Sequence, residues 1–182
     1  MKFHQTPLQG AVLIESKKIG DARGYFARTF CAETFAAEGL ETVFPQHNAS
    51  ASAWAGTIRG LHFQHPPHGE IKVIRATRGA IYDVIVDIRP RSATFGQWAG
   101  FELSEENGHM LYVPEGFAHG FQTLRPDTAV VYPVSRPYTP EAEGGLRFDD
   151  PVLAIDWPLP VTEVSDKDRS WANFDPEGAG PA

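Results

Sequence analysis

The densest group of chemically capable side chains is Arg59-Gly60-Leu61-His62-Phe63-Gln64-His65, with His68, Glu70 and Lys72 just beyond. Imidazole has a reference pKa of about 6.5, so His62 suits a proton acceptor working near neutral pH. A second group follows in Gly108-x5-Pro114-x-Gly116-x2-His119. Pro114 and Gly116 make a turn, and the strand after it delivers His119. A hard divalent ion held by His62, Glu70 and His119 is a rival use of the same groups. On a strand, however, His62 and Gln64 share a face while His65 falls on the other unless the strand ends first, so a paired-imidazole ligand set is incomplete. Imidazole acting directly on a substrate is the better reading. Ile71, Val73 and Ile74 surround Lys72 with apolar neighbours, which argues against a merely solvated lysine.

Strict alternation puts Arg59 and His62 on opposite faces of the strand expected over Thr57–Gln64. Both side chains can point inward only if that strand carries a bulge or bend, and Gly60 sits where one belongs. The sequence therefore predicts an irregularity at or beside Gly60.

The positioning elements read as short strands. Glycine and proline, 17 and 15 residues, are spread along the 182-residue chain and punctuate β-rich runs, as in a sandwich or barrel. The runs are Gly10–Glu15, Tyr25–Phe30, Thr57–Gln64, Ile71–Arg78, Ile81–Ile88, Trp98–Leu103, His109–Val113, His119–Leu124 and Thr128–Arg136. Arg78-Gly79 signals a tight turn. One helix is expected over Cys31–Glu38, closed by Gly39, and a short one after Ser165, where Ser165-Asp166-Lys167-Asp168 resembles a helix start. The length suits one domain, residues 1–182, with a core over about 10–170 and a loose tail from Pro176 to Ala182.

Net charge is −7, which disfavours nucleic acid and anionic membranes as partners while leaving room for an anionic small molecule held by local Arg and Lys. The lone Cys31 excludes an internal disulfide and thiolate metal clusters. The apolar run Ala11–Ile14 is too short for a signal-peptide core, and no run approaches a membrane span. A cytoplasmic location is expected.

The Pro-x-Gly-x2-His119 spacing resembles the second motif of the cupin superfamily, whose fold is a double-stranded β-helix, or jelly roll. A more specific resemblance runs from about residue 10 to 170. It rests on Asp21-Ala-Arg23-Gly-Tyr-Phe26, Gln46-His-Asn48, Arg59-Gly-Leu-His62-Phe-Gln, Lys72, Asp83-Val-Ile-Val-Asp87-Ile-Arg and Thr94-Phe-Gly-Gln-Trp98. Pro114-Glu-Gly-Phe-Ala-His119-Gly-Phe, Asp149-Asp-Pro, Ile155-Asp-Trp-Pro158 and Ser165-Asp-Lys-Asp168 continue it. Together these resemble the dTDP-4-dehydrorhamnose 3,5-epimerase family.

That resemblance implies an all-β, cupin-like jelly roll with short flanking helices, and epimerisation of a nucleotide-linked 4-keto-6-deoxy sugar at C3 and C5. His62 would be the base, Asp168 its carboxylate partner, Lys72 the cation at the C4 oxygen and Tyr132 the acid on the opposite face. Arg59 and His119 would contact phosphate and sugar. Arg23, Phe26, Gln46 and Asn48 would hold the nucleotide, with Phe26 stacking on the base. Tyr138, Glu143 and Lys167 would add weaker substrate contacts. No metal or organic cofactor is implied, because the substrate's own ketone acidifies the carbons beside it. A homodimer that exchanges an N-terminal strand is implied too, and the Tyr25-Phe26 strand fits that part.

The chain also departs from the family. Arg28 stands where a glutamate is usual, Pro133 where a lysine often follows the tyrosine, and Val134-Ser135-Arg136 and Gly144-Gly145 differ around Tyr138 and Glu143. Proline removes a ladder donor, so this part of the strand should lie at an edge or be distorted. A C3-only epimerase, an enzyme for another nucleotide sugar, a metal-dependent cupin and a non-catalytic sugar-nucleotide binder are the alternatives.

Overall fold

The computed structural model describes residues 1–177. With strands numbered in chain order, the larger sheet runs β1 (Lys2–Gln5), β2 (Val12–Glu15), β10 (His109–Val113), β7 (Lys72–Arg78), β12 (Thr128–Val134), β5 (Gln46–Ser52). The smaller runs β13 (Glu143–Gly145), β6 (Ile58–Gln64), β11 (Phe117–Thr123), β8 (Ala80–Asp87), β9 (Trp98–Ser104). A separate ribbon pairs β3 (Lys18–Asp21) with β4 (Gly24–Ala27). From β5 to β13 the chain passes back and forth between the two sheets, with only β8 and β9 paired in succession. That winding is the expected all-β jelly roll.

Alternation builds the interior. Ile74, Leu111, Val113 and Val130 of the larger sheet meet Ile81, Ile85, Leu103, Phe117 and Phe121 of the smaller one in a single apolar cluster. The opposite faces are covered as well. Helix α1 (Ala32–Ala37) lays Phe35 over Val12, Ile14, Val73 and Met110, and the C-terminal segment lays Leu146, Leu153 and Phe174 over Val84, Val86 and Ala118. Such two-sided cover explains why β8 is almost continuously apolar rather than alternating.

Most expected elements are present with trimmed ends. The Tyr25–Phe30 run is ordered as strand only to Ala27, and α1 begins one residue after Cys31. Gly39 and Gly79 take positive φ, 71° and 70°, as a helix stop and a tight turn require. Helix α2 (Asp166–Ser170) starts as expected, with the Asp168 N–H donating to Ser165 Oγ at 3.1 Å. Of the Pro176–Ala182 tail, residues 178–182 lie outside the described residues.

At Pro133 the strand is distorted rather than at an edge, the second of the two arrangements expected. That strand, β12, is interior, flanked by β5 and β7. Pairing to β5 is continuous through Pro133, whereas pairing to β7 skips Tyr132 and Pro133 between Val131 and Val134. The lost donor is absorbed by this local gap rather than by an edge position.

Candidate active site

The interior is apolar at one end and polar at the other, and the polar end is the candidate site. His62 and His119 are direct cross-strand partners of β6 and β11, so their side chains share the inward face. The next pair along is Arg59 with Phe121, three residues on in one strand against two in the other. This is the irregularity expected at Gly60, and it turns Arg59 inward beside His62. Gly60 has φ +111°, and a Cβ there would stand 2.5 Å from the Cα of Gly120. Only glycine fits both the angle and the gap.

The facing sheet supplies Lys72 from β7 and Tyr132 from β12. Tyr132 pairs with Asn48, and Val134 with Gln46, which puts both β5 amides on the tyrosine's face. A cavity of about 720 Å³ is lined by Arg59, His62, Lys72, His119, Tyr132 and Asp168, among others. A smaller one of about 160 Å³ adjoins it and shares His62, Lys72 and Tyr132. Gln46, Asn48, Tyr138 and Glu143 line the smaller cavity, and Lys167 the larger.

His62 Nε2 lies 2.6 Å from Asp168 Oδ1, with the imidazole 35% exposed and the carboxylate 6%. Burial pushes the Asp168 carboxyl up, but the His62 hydrogen bond and charge, the Gly60 N–H and Ser165 outweigh it and hold it below the usual range. A carboxylate fixed on Nε2 leaves Nδ1 as the atom free to take a proton. Burial also raises the Tyr132 phenol; the nearby Arg59 opposes this and Glu70 adds to it. A phenol so held stays protonated at neutral pH and has a proton to give.

The cations are held in place. Lys72 Nζ donates to the His62 carbonyl at 3.1 Å and pairs with Glu70 Oε1 at 3.0 Å. Arg59 Nε donates to Ser52 Oγ at 3.1 Å and its Nη2 to the Ala51 carbonyl at 3.0 Å. Lys167 Nζ grips both Glu143 oxygens at 2.6 Å, and Tyr138 Oη donates to Glu143 at 2.8 Å. Gln46 donates to Asn48 and accepts from the Tyr138 N–H, both at 3.1 Å.

Two residues of the expected set stand elsewhere. Arg23 and Phe26 belong to the β3–β4 ribbon and line none of the cavities described above; Arg23 pairs with Asp21 instead. The three rival metal ligands are each otherwise engaged, His62 by Asp168, His119 by Asp83 and Glu70 by Lys72. Among the described residues no group of three or more His, Cys, Asp or Glu is arranged to hold a metal ion. Asp83 had no assigned role in the sequence reading, yet it is fully buried 2.7 Å from His119 Nε2. Its place in Ile81-x-Asp83-x-Ile85, where both isoleucines face inward, was the available signal.

The cavity thus has a carboxylate-backed imidazole on one wall and, on the facing sheet, a half-buried phenol and an ammonium from adjacent strands. A family model described as dTDP-4-dehydrorhamnose 3,5-epimerase matches residues 5–176. The chain is 47% identical over 171 residues to a dTDP-4-dehydrorhamnose 3,5-epimerase of Sinorhizobium fredii, covering 93% of this chain and 88% of that one. It is similar to the crystal structure of a dTDP-4-dehydrorhamnose 3,5-epimerase from Bacillus anthracis with TDP and PPi bound, at a TM-score of 0.93 and 45% identity. That match covers 95% of this chain and 99% of the other. A dTDP-6-deoxy-D-glucose-3,5-epimerase from Legionella pneumophila in complex with dTDP-4-keto-L-rhamnose superposes with a TM-score of 0.90 at 38% identity, covering 94% and 92% of the two chains. A match this long and this even establishes that the chain belongs to the dTDP-4-dehydrorhamnose 3,5-epimerase family of isomerases.

Proposed function

We propose that this protein epimerises dTDP-4-dehydro-6-deoxyglucose at C3 and C5, giving dTDP-4-dehydrorhamnose. The observation that carries the reading is the facing of His62 on β6, paired with Asp168 of α2, and Tyr132 on β12 across one cavity that Lys72 also lines. His62 Nδ1 takes the proton from the carbon beside the C4 ketone, and the electron pair moves onto O4. Lys72 stabilises that enolate, whose charge is worth most to a cation in a site shielded from water. Tyr132 then gives its proton to the same carbon from the other side, inverting it. Imidazolium and phenolate return to their starting states by exchange with solvent, and the cycle repeats at the second carbon.

Arg59, His119 and Lys167 suit the diphosphate and sugar, because guanidinium and ammonium donors complement anionic oxygens. Gln46, Asn48, Tyr138 and Glu143 complete the sugar and nucleotide contacts. Arg23 and Phe26 reach a nucleotide only if a second copy lends its ribbon. Tyr25 and Phe26 stand 56% and 64% exposed there. Beside the sheet lies an apolar groove of about 720 Å³ lined by Phe30, Val43, Phe44, Val73, Met110 and Val131. These support a homodimer with exchanged ribbons; one copy per particle by light scattering would remove it. A cytoplasmic location accords with the free thiol of Cys31.

The reaction is tested with chelator-treated protein and dTDP-4-keto-6-deoxyglucose, following ring proton couplings by NMR. Conversion to the rhamno configuration is expected at an undiminished rate. Activity that vanishes with the chelator and returns with a divalent ion would make this a metal-dependent cupin instead.

A further inference from the structure

Glu70 stands just before β7 and is the one carboxylate paired with Lys72 among the described ion pairs. Both partners are largely buried, the glutamate side chain 8% exposed and the lysine 10%. Glu70 Oε1 is spent on the ammonium, while Oε2 is buried with no hydrogen-bond partner. A half-satisfied buried carboxylate costs stability, so its presence calls for a reason beyond the fold. The ammonium has three donors, and two are taken by Glu70 and the His62 carbonyl. The third is left for the space that Lys72 and Tyr132 line together.

A lysine stem has four rotatable bonds and holds no direction by itself. A competing site is close by: Asp83 is fully buried, its Oδ2 is also without a partner, and it feels the charge of Lys72. Freed from Glu70, the ammonium has a second buried carboxylate to turn to.

We propose that Glu70 is a positioning residue that fixes the Lys72 ammonium where the substrate's C4 oxygen becomes an enolate. This deepens the epimerase reading and rests on it. Glu70 touches no reacting atom; it acts through Lys72, and its effect falls on kcat rather than on nucleotide binding.

The test is a set of purified variants assayed with dTDP-4-keto-6-deoxyglucose for kcat, KM and deuterium wash-in, with dTDP affinity measured separately. Glu70→Met is expected to lower kcat and wash-in together by about 30-fold, short of the 10²–10³ that losing such a donor outright costs, with KM and dTDP affinity within about threefold. Glu70→Gln keeps an acceptor for Nζ and should recover most of that loss. In a Lys72→Met background, Glu70→Met should cost nothing further, because residues acting as one unit are not additive. Wild-type kcat in Glu70→Met beside an active parent would overturn this role alone, as would an undiminished cost in the Lys72→Met background. No wash-in by the unmodified protein would overturn the epimerase reading and the role with it.

Discussion

Replacing His62 by Ala is expected to lower kcat by about 10²- to 10⁴-fold, the range a positioned general base supplies. The loss should fall on deuterium wash-in as heavily as on epimerisation, because both require the carbon to lose its proton. Little of it can be blamed on folding. The imidazole is 35% exposed, and its cross-strand partner His119 keeps its own carboxylate. Asp168 keeps the Gly60 N–H but loses the imidazole, so the variant should unfold below the parent's temperature while staying folded under assay conditions. Dead in exchange but folded, it would locate the base; turnover near the parent's would remove His62 from that role.

Tyr132→Phe is expected to separate two events that His62→Ala abolishes together. The base still removes a proton and, with no donor on the opposite wall, returns deuterium from its own side. Wash-in without inversion should persist within about tenfold of the parent, while net epimerisation falls by about 10²-fold or more. Among the described residues the phenol makes no side-chain hydrogen bond, so its removal leaves no new unpaired partner there. NMR in D2O reads both quantities from one sample. Equal loss of both would mean that Tyr132 does not supply the inverting proton.

The legible parts of the molecule were those where period and punctuation agree. Ile81–Ile88 and His109–Val113 read as strands because their branched and apolar residues have one sheet geometry available. The Gly60 bulge was legible for a different reason. Arg59 and His62 cannot both face inward on a regular ladder, and a glycine stood where the fault had to fall. The Ser165 cap likewise shows in the spacing of its acids.

What stayed hidden follows the chemistry of the site itself. Gln46–Ser52 carries no apolar alternation, since its inward residues Gln46, Asn48 and Ser50 face the polar end of the interior or its rim. A strand that lines a site is therefore the one that hydrophobic period misses. Lys2–Gln5 and Lys18–Asp21 are mostly exposed, and polar strands leave little pattern. Pro133 left edge and distortion both open, because sequence weighs the lost donor but not how a neighbouring ladder gives way. Roles for Lys72, Tyr132 and Asp168 came from the family resemblance. Their convergence from separate elements, β7, β12 and α2, is a tertiary fact that local pattern does not carry.

The epimerase reading stands on protons leaving and returning at the two carbons flanking the C4 ketone. It is tested most directly by incubating the protein with dTDP-4-keto-6-deoxyglucose in D2O and locating the label by NMR. Deuterium at both C3 and C5, each with inverted configuration, is the expected result. Label confined to C3 would make this a 3-epimerase on the same site, and tight nucleotide binding with no label at either carbon would overturn the epimerase reading.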